Sequence, residues 1–144
     1  MSDIFYYTFR TNKDVEEIEG NLGQKIFIVS KPAQDFSALV SAIAQSGASK
    51  IVGIAMIKGD KSRFEIKTFN KIGTNKAVKG SSYDFYKLNV PDSFYESGFV
   101  AEDGMSPSFC NYVCFKLADS MSDCKHYFIH LNQKDIKKLT QIVL

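Results

Sequence analysis

No apolar run in the sequence is long enough to cross a bilayer. The wholly aliphatic or aromatic stretches are short, as in Ile26-Phe27-Ile28-Val29, whereas a spanning helix needs about 20 such residues. The first residues, Met1-Ser2-Asp3-Ile4, lack the basic segment followed by an apolar one that marks a secretory signal. Cysteine is scarce and odd in number, three residues without framework spacing. That fits free thiols in a reducing compartment better than a disulfide scaffold, so the expected location is the cytoplasm. Histidine is scarcer still, at two. There is no Cys-x-x-Cys and no glycine-rich loop before a helix, so neither a zinc site nor a nucleotide-phosphate site has support. Low-complexity tracts and long like-charge blocks are also missing, which argues against a disordered chain.

What is present is ordinary for a globular protein. The chain has 144 residues, 44% of them hydrophobic and 24% charged, enough to bury a core and of a size for one domain spanning 1–144. A net charge of +2 is too small to imply a polyanionic partner. The charge is unevenly placed, however: from Lys58 to Lys79 seven basic residues face two acids, a local +5 that leaves −3 elsewhere. With Phe64 and Phe69 interleaved this window is open to reading as a nucleic-acid surface. A solvated edge guarded by lysines is the plainer reading, and no recognised nucleic-acid module accompanies the charge.

Hydrophobic patterning predicts alternating strands and helices. Residues 4–9 and 25–30 read as buried strands, with a short polar helix between them ended at Gly20. Pro32 opens a helix whose stripe is Phe36, Leu39, Val40, Ile43 and Ala44, closed by Gly47. A third buried strand follows at 51–55. The crossover of helical length implies parallel neighbours. After the turn Lys58-Gly59-Asp60, residues 64–70 read as one strand with an exposed face. Residues 71–82 are the least structured, 83–90 a further strand, 94–101 an extended segment, and Glu102-Asp103-Gly104 a turn. Ser106-Pro107 is an N-cap and first-turn pair opening a helix to about Met121. Residues 126–131 form the last strand. Asn132 and Asp135 suggest a capping box opening a terminal helix with Ile136, Leu139 and Val143 on one face.

Few residues are left to carry chemistry. Cys110 falls in the first turn of a helix, where unpaired N–H groups and the helix dipole favour a thiolate. Cys114, one turn deeper, reads as packed, and Cys124, in a polar turn, as incidental. Taken alone, each candidate has a bland alternative: Cys110 as a small core hydrophobe, His130 as a structural histidine, and Glu65 as a residue on an exposed strand face.

Three segments, in order, carry a resemblance. Gly53-Ile54-Ala55 and Phe64-Glu65-Ile66-Lys67-Thr68-Phe69-Asn70 resemble the Gly-Leu-Ala and Glu-Arg-Val-Ala-x-Asn segments of pyroglutamyl peptidase I, a family of cysteine peptidases. Phe109-Cys110-Asn111 resembles that family's Val-Cys-Asn, and Tyr127-Phe128-Ile129-His130-Leu131 its Gly-Phe-Ile-His-Val. The matched stretch runs from about Lys25 to Leu144. The resemblance implies a phosphorylase/hydrolase-like α/β fold, a single domain with an open, mostly parallel or mixed sheet flanked by helices. It places Cys110 on the nucleophile, His130 on the base and Glu65 on the catalytic glutamate, with Phe9 and Asn70 at substrate-binding positions.

The chain also departs from the family. The Gly-Phe-x-Pro-Phe-Gly-Gly loop that helps hold the pyroglutamyl ring is replaced by Tyr7-Thr8-Phe9-Arg10-Thr11-Asn12. The Ala-Gly-Thr ahead of the nucleophile gives way to Met105-Ser106-Pro107-Ser108, where proline removes a donor. The chain is shorter, mainly between Glu65 and Cys110. The resemblance implies a hydrolase that works through a thioacyl intermediate on a small peptide or acyl-amide, with no metal or organic cofactor, no membrane, and self-association into a homo-oligomer. The expected Cys110 thiol is depressed below its ordinary pKa. The alternative is a catalytically silent relative serving as a binding or assembly module.

Overall fold

The computed structural model describes residues 3–59 and 61–144, so Asp60 of the expected turn, and Met1 and Ser2 of the first segment, lie outside the described residues. Strand β1 (Ile4–Phe9) is buried over its last four residues, an apolar and aromatic run broken only by Thr8, whose Oγ1 donates to Ile54 O at 2.7 Å. Helix α1 (Val15–Leu22) passes through Gly20 and stops at the left-handed Gly23; the extra turn lets Leu22 join Ile18 on the core. Strand β2 (Phe27–Val29) leads to helix α2 (Pro32–Ser46), which has proline in its first turn and ends at the left-handed Gly47, as expected. Strand β3 (Lys50–Ile57) then returns alongside β1, with Thr8 opposite Ile54.

The remaining elements are strands β4 (Arg63–Glu65), β5 (Lys67–Phe69), β6 (Phe85–Lys87) and β7 (Val100–Glu102), helix α3 (Phe109–Ser120) and strand β8 (Lys125–Asn132). Among the described residues the main sheet has six strands in the order β2-β1-β3-β8-β4-β7. Every ladder in it is parallel except β4 against β8. The α/β class and the mostly parallel sheet therefore stand as expected.

Alternation along the strands divides the core in two. Tyr6, Val52, Ile54, Tyr127, Ile129 and Leu131 face α1 and the C-terminal turns, while Tyr7, Ile51 and Phe128 face α2 and α3. Each such large apolar side chain contributes about 1.5–3 kcal/mol when fully buried. Register sets Tyr7, Gly53 and Phe128 in one row across three strands. A Cβ on Gly53 would lie 2.5 Å from Tyr7 Cζ and 2.6 Å from Phe128 Cδ2, so only glycine leaves room for the two rings.

Several expected elements differ. Residues 64–70 are not one strand: β4 belongs to the main sheet and β5 pairs antiparallel with β6 in a separate ribbon. Ile66, between them, is exposed and Glu65 is buried, the reverse of the expected faces. Only Phe85–Lys87 of the 83–90 segment is strand. The 94–101 segment folds into a 3-10 turn (Phe94–Ser97) and left-handed Gly98 before β7 takes up Val100–Glu102. Helix α3 starts two residues later than expected, after an extended Ser108.

The C-terminal element is a 3-10 helix (Gln133–Gln141), not an α-helix. Three residues per turn line up i and i+3, which puts Ile136 and Leu139 inside and leaves Val143 exposed. Asn132 caps it through Lys134 N, but Asp135 does not complete a box. Its carboxylate accepts instead from Ser62 Oγ at 2.7 Å and pairs with Lys138 at 3.2 Å.

Candidate active site

Strand alternation explains how a carboxylate comes to be buried in β4. Phe64 packs into the α1 side of the core, so Arg63 and Glu65, its neighbours in sequence, emerge on the opposite face. His130 alternates in the same way with Ile129 and Leu131 on β8. The antiparallel ladder places Arg63 opposite His130. The result is a buried cluster in which Glu65 Oε2 lies 2.6 Å from His130 Nδ1 and accepts from Arg63 Nε at 2.6 Å. Glu65 Oε1 accepts from the Gly104 N–H at 2.8 Å. Burial pushes the Glu65 carboxyl up, but hydrogen bonds from His130, Arg63 and Gly104 outweigh it and hold the group below the usual carboxylate range. With Nδ1–H donating to Glu65, the other ring nitrogen of His130 is free to act as a base.

Cys110 is the second residue of α3. The next residue fixes the depth of that turn. Asn111 is fully buried; its Oδ1 accepts from Thr68 Oγ1 at 2.7 Å and Phe69 N at 3.0 Å. Its Nδ2 donates to Phe69 O at 2.7 Å and Lys71 O at 2.9 Å. Four bonds to β5 and to Lys71, two residues beyond it, thus anchor the helix start. The segment before α3 is held by Gly73 N–H, which donates to Pro107 O at 2.9 Å.

Cys110 and His130 line one cleft of about 630 Å³ at the C-terminal ends of β1 and β3, together with Phe9, Ala55, Ser108 and Phe109. Parallel sheets offer ligand sites at this end of their strands. The Cys110 thiol is not depressed as expected. It packs against the apolar cluster that includes Tyr7 and Phe9, and this burial pushes it up. A hydrogen bond with Ser108 and the helix's own N–H act against that, and the Glu65 charge adds to it. Cys114 is fully buried and pushed up to about 12 by burial. Cys124 is part-exposed and donates weakly to Ala48 O at 3.7 Å. Among the described residues no group of three or more His, Cys, Asp and Glu side chains is placed to hold a metal ion.

Solved structures share this arrangement of elements. Pyrrolidone carboxyl peptidase from Thermococcus litoralis superposes with a TM-score of 0.71 at 14% identity, over 92% of this chain and 77% of that one. Pyroglutamyl peptidase I from Bacillus amyloliquefaciens gives 0.71 at 14% identity, over 96% and 89%. The pyrrolidone carboxyl peptidase of Thermus thermophilus gives 0.68 at 11%, over 90% and 84%. The chain has the pyroglutamyl peptidase fold. No family model and no curated protein matches the sequence itself; the likeness is one of fold.

Within the pyroglutamyl peptidase fold, four of the five expected site residues meet. Glu65 contacts His130, and His130, Cys110 and Phe9 line the same cleft. Asn70 does not join them. It is buried, its Nδ2 donating to Val78 O at 2.9 Å and Tyr83 O at 3.3 Å while its Oδ1 accepts from Val78 N at 2.7 Å. These bonds fold residues 71–83 into a closed excursion, so Asn70 shapes the loop that meets Pro107 and is not itself a wall of the cleft. Sequence reasoning missed Arg63, Gly104 and Asn111. Arg63, two residues before Glu65 on the same strand face, was within reach of the alternation argument. The Gly104 and Asn111 contacts span 39 to 43 residues, and no local pattern announces them.

Proposed function

We propose that the chain is a cysteine hydrolase of pyroglutamyl peptidase type, in which Cys110 attacks, His130 moves the proton and Glu65 orients the imidazole. The observation that carries this reading is the 2.6 Å bond between Glu65 Oε2 and His130 Nδ1, buried behind a cleft that His130 shares with Cys110. A nucleophile, a base and a group that orients the base are the minimum for this chemistry. His130 takes the thiol proton on its free nitrogen and the sulfur adds to an amide carbonyl carbon. The oxyanion is met by the N–H of Cys110 in the open first turn of α3. The leaving amine departs with the proton held by His130, giving a thioacyl intermediate. Water then attacks with His130 again as base, and the acid and the free thiol are released. Arg63 is a positioning residue, holding Glu65 from the far side. Asn70 acts only through the loop it folds. The substrate is a short peptide or acyl-amide bearing N-terminal pyroglutamate or a related small acyl group.

One observation favours a silent binding module instead: burial raises the Cys110 thiol. A panel of small acyl-arylamides, pyroglutamyl-arylamide among them, separates the two. Arylamine release and a thioacyl mass on Cys110, both lost in Cys110→Ala, are expected for the enzyme. Because the ring-holding loop is replaced, turnover of the pyroglutamyl compound is expected to be the slower. No adduct from any compound in the panel would leave the module reading in place.

A further inference from the structure

We propose that the ligand of this cleft carries a free carboxylate next to the reacting carbonyl, held by Arg10 and Lys58; this rests on the cysteine-hydrolase reading and specifies its substrate class. Both cations line the cleft that holds Cys110 and His130. Arg10 is the first residue after β1 and Lys58 the first after β3. These strands are parallel neighbours with Thr8 opposite Ile54, so the two side chains leave adjoining strand ends with Lys58 two residues further along than Arg10. Among the described residues neither side chain has a salt-bridge partner.

No acid among the described residues lines the cleft. Glu65 is fully buried and engaged by three donors. Asp35, beside the rim, accepts from the N–H groups of Ser30 and Lys31 at 2.8 and 2.9 Å. The rest of the wall is largely apolar. A cleft of one charge sign bounded by low-dielectric walls concentrates ligands of the opposite sign, and a guanidinium beside an ammonium suits a carboxylate. A neutral ligand would leave both cations without an anion.

Two alkylating reagents that differ only in charge test this. Each transfers its CH₂ group to the sulfur as the C–I bond breaks and iodide leaves with the electron pair. The wild-type chain is treated in parallel with limiting iodoacetate or iodoacetamide at low salt, and modification at Cys110 is counted by peptide mass spectrometry with Cys124 as internal standard. The iodoacetate-to-iodoacetamide rate ratio at Cys110 is expected to fall about tenfold in Arg10→Gln/Lys58→Gln, and to fall with added salt in the wild type. The ratio at Cys124 is expected to stay put. Both substituted side chains are exposed, and unchanged circular dichroism checks the fold.

Protection of Cys110 by glutaramate against glutaramide, and by N-acetylglycine against N-acetylglycinamide, tells whether the carboxylate belongs to the acyl or the amine side. Better protection by either acid supports the proposal. A ratio indifferent to the double substitution, or no modification of Cys110 by either reagent, overturns it. The cysteine-hydrolase reading fails separately, through indifference of iodoacetamide labelling to His130, because the charge ratio cancels the intrinsic reactivity of the thiol.

Discussion

From β2 across to β8 the sheet is fastened by interleaved aliphatic and aromatic side chains, whereas from β4 outward polar side chains tie one element to the next. On the first bank Tyr7, Ile51, Val52, Ile54 and Phe128 are all essentially inaccessible. On the second, Glu65, Asn70, Asn111 and the Ser62–Asp135 pair join β4, β5, the 71–83 excursion, α3 and the C-terminal turns. Apolar packing degrades gradually, because each lost contact is small. A buried polar network fails abruptly, because removing one member strands its partners without water. His130 sits on the seam, carried by an apolar strand but aimed by the polar bank.

The sharpest break in this comparison is Glu65→Ala. It leaves Arg63 and His130 facing each other across a buried space with no anion between them. Losing one partner of a buried ionic cluster costs about 3–5 kcal/mol, and chemical denaturation should show a loss in that range. The same group sets an acid limit. Because the folded carboxyl is held below its unfolded value, its contribution is present above the usual carboxylate range and is lost as pH falls through the lowered folded value. Wild-type stability is expected to decline through that window, and the decline should be shallower in Glu65→Gln.

Second in size is Gly53→Ala on the apolar bank. The new Cβ would press on Tyr7 and Phe128, both fully buried. Overpacking of this kind costs about 1–3 kcal/mol, read as a lowered Tm. It should leave the pH dependence of stability unchanged, since no charged group is disturbed. If Gly53→Ala flattens the acid decline as Glu65→Gln does, the two banks are not distinct.

The banks also differ in how far the sequence disclosed them. Ile4–Phe9, Lys50–Ile57 and Pro32–Ser46 were legible because their apolar period and capping residues are local. Residues 64–70 were misread because alternation alone cannot show that Ile66 interrupts a strand and sends the chain into a second sheet. The C-terminal 3-10 helix was misread for a similar reason: the pull of Ser62 on Asp135 comes from 73 residues away. Glu65, Cys110 and His130 were singled out through short motifs in the right order, not through any pattern that brings them together. The raised thiol was missed because helix position alone gives the favourable dipole, while its burial against Tyr7 and Phe9 is a tertiary fact.

A smaller effect is expected at Asn70. Asn70→Ala removes three bonds that close residues 71–83, a segment water can reach, so about 1 kcal/mol of stability should go. Limited proteolysis should show faster cleavage within 71–83. Direct contact with a ligand would make Asn70→Ala abolish ligand protection of Cys110 outright; action through the loop predicts only partial loss.

The last comparison, read on a rate and not on stability, decides whether the polar bank serves chemistry. Burial raises Cys110 and Cys124 alike, so an unassisted Cys110, the more enclosed of the two, should react no faster than Cys124. Ionisation by transfer of the proton to His130 is different, because the Glu65 carboxylate, 2.6 Å from Nδ1, holds the ring that would receive it. Brief exposure to limiting iodoacetamide near neutral pH should then modify Cys110 first and Cys114 last, since Cys114 is pushed to about 12. His130→Ala should slow Cys110 about tenfold, roughly 1.4 kcal/mol, and leave Cys124 unchanged. Arg63→Gln, which keeps the histidine but loosens its carboxylate, should fall between the two. Faster reaction at Cys124, or a Cys110 rate indifferent to His130, would mean that the network holds the fold together without activating the thiol.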